Sequence, residues 1–405
     1  MDTATTVRTF VEFYRERGHR RIIGTSLLTE PGDPVLFTAA GMHPLTPYLE
    51  GRSHPLGQRL VNVQRCLRTT DLEEVGDSSH LTVFQMLGSW SLGDYGGPQS
   101  LRWGYELLTE RFGIEPGRLL ATVFGGDEQV GVDRVSLDAW TELGVPVELC
   151  GEDNWWSNGP VGPCGPDSEI FFWVGAGPPV GTPTTDERWI EVWNHVMMRH
   201  HRHPDGSLST LPQNSVDTGM GLERLLMVLQ GRSSVYETDL LEPWVRTVRE
   251  LWELDGSDLR LVVDHLRSAL VVVGDRVTPA SSGRGYVLRR LLRRSLTTLW
   301  RGDEARTLSS LPVDLLTGTL GHFEQAIDVL VARQVLLDEE RRFRSLLQRG
   351  RPLVERQRER SPGGLTSEDL TYLHETHGLP PELVLSLMEE EFSDRLAASR
   401  TSRGQ

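Results

Sequence analysis

Apolar positions along this chain follow two periods, and the change from one to the other predicts its organisation. Up to about residue 232 the apolar residues fall mostly in short runs or alternations bounded by Gly and Pro, the pattern of strands joined by turns. Beyond it they recur at helical spacing in 236–254, 258–273, 285–300, 319–350 and 381–394. Strands are predicted at 34–42, 59–68, 80–88, 119–124, 146–150, 169–174 and 188–199. Helices are predicted at 4–17, 98–112 and 131–143. Gly18 stops the first helix, and Pro204-Asp205-Gly206 marks a hairpin. The Gly-, Pro- and Trp-rich segment 153–168 reads as a stiff loop, and Ser361 to Gly364 as a linker between helices. The fold class is therefore α+β, with a mixed antiparallel-sheet domain over 1–232 and a helical domain over 233–405.

The stretch from Asn214 to Arg224 reads as a strand end, a glycine turn and a helix start. Gly219 and Gly221 let the backbone approach something small. Asp217 precedes them and Arg224 follows, a carboxylate and a guanidinium suited to a substrate with an ammonium at one end and a phosphate at the other. A surface pair of little energetic weight is the competing account.

Composition narrows the chemistry. The chain has 405 residues, 38% of them hydrophobic, and no run of eighteen apolar residues, so no membrane span is expected. The N-terminus does not read as a signal peptide. Cys66, Cys150 and Cys164 are far apart and form no Cys-x-x-Cys pair, which fits a reducing, cytoplasmic setting. A net charge of −15 argues against a wholly basic nucleic-acid coat but not against a local basic face. All 42 basic residues are arginine, so any phosphate grip comes from arginine or backbone, and no mechanism requiring lysine applies. His200, His201 and His203 cluster at the hairpin, where a solvated turn is favoured over a metal site.

In order along the chain, Val35-Leu-Phe-Thr-Ala-Ala-Gly-Met42, Gln64-Arg-Cys-Leu-Arg68, Phe84-Gln-Met-Leu-Gly88, Gly93-Asp-Tyr95, Gly162-Pro-Cys-Gly-Pro166, Glu169-Ile-Phe171, Val192-Trp-Asn194, Ser215 to Arg224 and Arg284-Gly-Tyr-Val-Leu-Arg-Arg290 resemble the N-terminal half of the alanyl-tRNA synthetases, a class II aminoacyl-tRNA synthetase family. The resemblance covers most of 7–390. It implies a class II synthetase-type antiparallel sheet flanked by helices, and activation of an amino acid as its adenylate with ATP and Mg2+. No enzyme nucleophile is needed for that step: the substrate carboxylate attacks the α-phosphorus, and the protein positions the two and neutralises charge.

By this resemblance Arg68 contacts the α-phosphate and the amino-acid carboxylate, and Arg224 holds the far end of the triphosphate. Phe84 stacks on adenine, the backbone near Met86 reads its edge, and Gly221 lies against the nucleotide. Glu169 and Glu191, each placed at or near a strand start, are the candidate Mg2+ ligands. Asp217 takes the ammonium of L-alanine, with Trp156, Asn194, Val196 and Gly219 closing the pocket around a methyl. Such a pocket rejects an added hydroxyl by only about 100-fold, so serine is the difficult competitor. Arg284, Arg289, Arg290, Arg293 and Arg294 lie on one predicted helix without an acid among them, a face suited to tRNA phosphates.

Four departures from the family concern tRNA reading. The loop after Arg68 is short, Gly283 replaces an asparagine that reads the acceptor stem, the acidic residue paired with that function has no match, and the editing and C-terminal domains are not found. Ala39 and Gln85 are smaller changes. Three functions follow: alanyl transfer to a tRNA 3′ end, which the arginine helix favours; tRNA-independent alanyl transfer to a small molecule or carrier protein; and a non-catalytic binding paralogue. A monomer is expected.

Overall fold

In the computed structural model, residues 1–30, 35–361 and 364–377, with Leu379, Val384 and Leu385, are described. Nine strands form one sheet: β1 Arg20–Arg21, β2 Arg59–Leu67, β3 Val83–Ser91, β4 Leu119–Phe124, β5 Val147–Cys150, β6 Trp155–Ser157, β7 Gly162–Trp173, β8 Trp189–Arg202 and β9 Leu208–Gly221. Their spatial order is β1-β2-β3-β9-β8-β7-β4-β5, with β6 added to β7. Pairing is antiparallel except for β1 with β2 and β4 with β5. This is the antiparallel α+β architecture read from the alternation.

Helices α1 Thr3–Glu16, α2 Thr46–Leu49, α3 Gly97–Glu106, α4 Arg134–Leu143 and α5 Leu222–Leu229 accompany the sheet. Successive side chains of a strand point to opposite faces. Leu87, Trp193, Met197, Val216 and Met220 take one face and bury against Phe10, Phe13 and Tyr14 of α1 and Leu101 of α3. Residues one position away along the same strands take the other face, which holds the site.

The remaining helices are α6 Glu242–Trp252, α7 Gly256–Gly274, α8 Gly283–Gly302, α9 Val313–His322, α10 Val329–Arg360 and α11 Ser367–His377. α7 carries fourteen buried residues, ten of them apolar or glycine and four, Asp264, His265, Arg267 and Ser268, polar, and is buried on nearly every side. Its core is continuous with Leu67, Leu81 and Val83 around the start of β3. No helix among the described residues is long and apolar enough to cross a membrane.

Several elements differ from expectation. Of 34–42, residue 34 lies outside the described residues, and 35–42 form no named strand. They make a single bridge, Leu28 with Phe37, and fold over the site face, where the backbone N–H of Gly41 meets the Met86 sulfur at 3.3 Å. Much of the expected loop 153–168 is strand, because β6 and the start of β7 pair with each other. There is no glycine turn in 214–224: β9 runs through Gly219 to Gly221, and α5 begins at Leu222. Gly219 is there because a neighbour occupies the space of a side chain; a Cβ on it would lie 2.6 Å from the Met86 sulfur. The helix expected over 98–112 widens to a π turn at Leu107–Arg111. The segment 319–350 spans two helices, broken between His322 and Val329, with Glu324 at φ +52°. Within Ser361 to Gly364, residues 362–363 lie outside the described residues, as does most of 381–394.

Candidate active site

The site is a grid on the open face of the sheet. Direct pairing puts Asp167, Val196, Asp217 and Trp90 in one row across β7, β8, β9 and β3. Two residues along, Glu169, Asn194, Gly219 and Gly88 form the next row. Met86 then pairs with Gly221. Directly opposed residues share a face, so these side chains converge. All of them but Trp90 and Gly88 line a cavity of about 740 Å3 with Arg68, Phe84, Trp156, Glu191 and Arg224. Thus the residues assigned from sequence to ATP, alanine and Mg2+ surround one cavity.

One end of the cavity is acidic. Asp217 is 7% exposed, and its Oδ1 accepts from the Trp90 indole Nε1 at 2.6 Å. Burial raises its carboxyl to about 7, with the indole hydrogen bond opposing the rise. Its Oδ2 has no hydrogen-bond partner among the described residues. A buried carboxylate with a free oxygen is a site for a cation. Gly88 makes room for the Trp90 ring, since a Cβ there would sit 2.1 Å from the ring edge. Val196 and the half-buried Trp156 belong to the adjoining apolar cluster that also contains Trp90.

The other end carries two arginines. Arg68 follows β2; its Nε donates to the Ala39 carbonyl at 3.2 Å, and its guanidinium carbon lies 5.2 Å from the centre of the Phe84 ring. Arg224, on the first turn of α5, donates to the Glu191 carboxylate at 3.0 Å and to its carbonyl at 3.2 Å. From Asp217 to Gly221 the strand advances four residues, about 13 Å at the usual rise. Met86 engages the sheet through both neighbours, Gln64 and Gly221, and lays its side chain over Gly219.

Glu169 lies in the middle of β7, not near its start, because that strand begins at Gly162. Burial pushes its carboxyl up, and the Glu191 and Asp167 carboxylates push it further. Glu169 and Glu191 are hard oxygen donors that line the same cavity, the chemistry Mg2+ takes. Arg224 takes up part of the Glu191 charge. No group of three metal-ligating side chains occurs among the described residues, the histidine cluster included. There His201 meets Glu50 at 3.2 Å and His203 meets Ser209 at 2.8 Å.

A family model for tRNA synthetases class II (A) matches residues 6–394. The chain belongs to the class II tRNA synthetases. It is 40% identical over 409 residues to the alanine–tRNA ligase of Treponema pallidum, covering 94% of this chain and 67% of that protein. It is 39% identical over 419 residues to the alanine–tRNA ligase of Rubrobacter xylanophilus, covering 96% of this chain and 47% of that one. The chain therefore spans about half to two thirds of the length of these relatives. Among solved structures, histidyl-tRNA synthetase of S. aureus is matched at 12% identity over 62% of this chain and 76% of that one, with a TM-score of 0.35.

Two features of this class II synthetase were not legible beforehand. Asp167 sits between two of the family-like segments, and sequence reasoning gave it no role; it is 2% exposed, lines the cavity, and is raised to about 7 by burial. Glu223 carried no assignment either. It is 2% exposed, accepts from the Gln85 backbone N–H at 3.0 Å, and pairs with Arg267 of α7 at 3.1 Å. Arg267 also donates to the Val83 carbonyl, while Asp264 accepts from the backbone and hydroxyl of Thr82. The helical region thereby clamps the strand that carries Phe84.

The α8 arginines are not free of acids, because their partners come from other elements. Arg293 meets Glu339 at 2.8 Å and Arg289 meets it at 3.7 Å. Arg290 pairs with Glu73 in the loop after Arg68, and Arg294 meets the same carboxylate at 3.1 Å. Arg284 donates to the carbonyls of Leu36 and Thr29.

Proposed function

We propose that this chain activates L-alanine with ATP, forming alanyl-adenylate and pyrophosphate, and transfers the alanyl group to the 3′ end of a tRNA. The observation that carries this reading is one cavity lined by Asp217, Arg68 and Arg224, with Asp217 four residues before the end of β9 at Gly221 and Arg224 on the first turn of α5 beyond it. The ammonium binds Asp217, which leaves the alanine carboxylate directed toward Arg68. The carboxylate oxygen attacks the α-phosphorus, the bond to the bridging oxygen breaks, and pyrophosphate leaves. Arg68 neutralises charge that grows on the α-phosphate, and Arg224 holds the leaving end. Phe84 stacks on adenine, the Met86 backbone reads its edge, and Gly221 lets the nucleotide approach the strand. Glu169 and Glu191 would hold Mg2+, which supplies positive charge beside the phosphates.

Trp156, Val196 and Gly219, with Met86 packed over it, leave a small apolar space that suits a methyl. Residues 1–232 form the activating part in this reading, and 233–405 the part that meets RNA through Arg284, Arg289, Arg290, Arg293 and Arg294. The relatives named as alanine–tRNA ligases support alanine and tRNA over the alternative acceptors.

The test is pyrophosphate exchange with ATP in the presence of alanine, glycine or serine, followed by charging of tRNA. Exchange with alanine that is lost in Asp217→Ala is expected. Absence of exchange with all three amino acids overturns the proposal, and exchange without charging overturns its tRNA half.

A further inference from the structure

Asn194 lies on β8 between the two acidic residues of the site. Val196, two positions along the same strand and on the same face, pairs with Asp167 on one side and Asp217 on the other. Asn194 is therefore a diagonal neighbour of both carboxylates, a separation that a side chain or a small ligand can bridge. Its Nδ2 donates to Asp167 Oδ2 at 3.1 Å. Its Oδ1 is buried and has no hydrogen-bond partner among the described residues.

An amide beside a carboxylate has one stable orientation. Turned over, its carbonyl oxygen would face the carboxylate and two acceptors would meet. Asp167 is itself held, since its Oδ1 accepts from Asn154 Nδ2 at 2.8 Å. Asn154 is fully buried on the turn before β6. Along the chain Asn154, Asp167, Asn194 each amide thus keeps one acceptor over, Asn154 Oδ1 and Asn194 Oδ1, and of the two residues Asn194 is the one that lines the cavity. A buried acceptor left unpaired is costly unless a ligand completes it. A primary ammonium has three donors, and Asp217 Oδ2 and Asn194 Oδ1 together offer it two acceptors on adjacent strands.

We propose that Asp167 is a positioning residue: it locks the Asn194 amide so that Oδ1 faces the ammonium of the amino-acid substrate. Asp167 does not touch the substrate and acts only through Asn194. The inference rests on the reading of this cavity as the alanine site.

The test is a double-mutant cycle on alanine-dependent pyrophosphate exchange with wild type, Asp167→Ala, Asn194→Ala and the double variant. Asp167→Ala is expected to raise KM for alanine about tenfold or more, the effect of losing a hydrogen bond to a charged group. KM for ATP should stay within about twofold, a split that general loosening of the fold would not produce. The double variant should be no worse than Asn194→Ala alone, because the two residues act as one unit. Multiplicative losses in the double variant, or an equal rise in both KM values, would overturn the assignment. If Asp167→Ala does not fold, Asp167→Leu in the same cycle fills the space without offering an acceptor to Asn194, and the same two results support or overturn the assignment. A wild-type enzyme without alanine-dependent exchange overturns the functional reading, and this assignment with it. A wild type that exchanges while the cycle is additive overturns this assignment alone.

Discussion

The indole Nε1 of Trp90 donates to Asp217 Oδ1 at 2.6 Å across neighbouring strands, and both side chains are buried. The bond orients the carboxylate but offsets only part of the cost of burying it, so the Asp217 carboxyl stays up at about 7. A cation beside the Asp217 carboxylate would offset that cost.

Replacing Asp217 by the neutral isostere exposes that cost. In the folded protein the Asp217 carboxyl titrates at about 7, and in the unfolded chain near its ordinary value of 3.8. The folded state binds the extra proton between those values, so this contribution to stability is full at low pH and is lost as pH rises toward 7. Asp217→Asn has no such loss. Relative to wild type it should gain on the order of 2 kcal/mol between pH 5 and pH 8, while losing alanine-dependent exchange. Denaturant unfolding at the two pH values checks this; an unchanged difference would mean the carboxylate is solvated in the free protein.

Gly88 should not tolerate a methyl group. A Cβ there falls 2.1 Å from one Trp90 ring carbon and 2.5 Å from another, and the ring is fully buried among Ala40, Leu60 and Val196. Gly88→Ala is expected to cost about 3 kcal/mol by overpacking and to displace the indole from Asp217. Lower stability together with a raised KM for alanine is the expected pair of results. A variant of wild-type stability would contradict the packing described.

The buried pair of Arg267 and Glu223 joins α7 to the first turn of α5. Arg267→Met leaves Glu223 buried and uncompensated, at a cost of about 3 to 5 kcal/mol. Burial already raises the Glu223 carboxyl, and Arg267 opposes that rise. Without the arginine the folded-state value climbs further. The variant should therefore recover stability as pH falls and Glu223 takes a proton, and lose it as pH rises. Urea midpoints at pH 5 and pH 8 read this directly. Adding Glu223→Gln should remove the pH-dependent part.

Glu73 occupies Arg290 and Arg294 of α8, two of the arginines proposed to hold RNA phosphates. Glu73→Ala frees both, and tRNA affinity at low salt should rise by up to about fivefold, the size of an exposed ion pair. Arg290→Ala should lower the slope of log affinity against log salt by about one. Filter binding over a salt series measures both. An Arg290→Ala slope equal to wild type would place the RNA elsewhere.

Short apolar runs bounded by turn residues, with a clear alternation at 59–68, sufficed to predict most of the strands. Phe84, Met86, Asn194 and Val196 were expected in the site from the resemblance, and strand parity explains why they share one cavity with Asp217 and Gly219, because the face a side chain takes follows from its neighbours along the strand. Parity fails where a segment is apolar for another reason. Residues 35–42 are apolar because they cover the site as a loop, and the Gly-Pro segment at 162–166 pairs as strand although its composition marks a turn. Glycines mislead in the same way: Gly219 answers to Met86, a residue far earlier in the chain, and not to a turn.

By itself the amino-acid order determined most of the element types, since these rest on local spacing; side-chain chemistry singled out Asp217, Gly219, Gly221 and Arg224, and the other residues that line the site followed from the resemblance of its motifs to the synthetase family. Only the tertiary structure decided how the charges are balanced. Trp90 and Asp217 are 127 residues apart, Glu223 and Arg267 are 44 apart, and Glu73 and Arg290 are 217 apart. No period links such pairs. Whether a carboxylate is solvated, paired or buried alone depends on what the fold places beside it and how far it excludes water, and this is why the α8 arginines were expected to lack acids and Asp167 had no expected role.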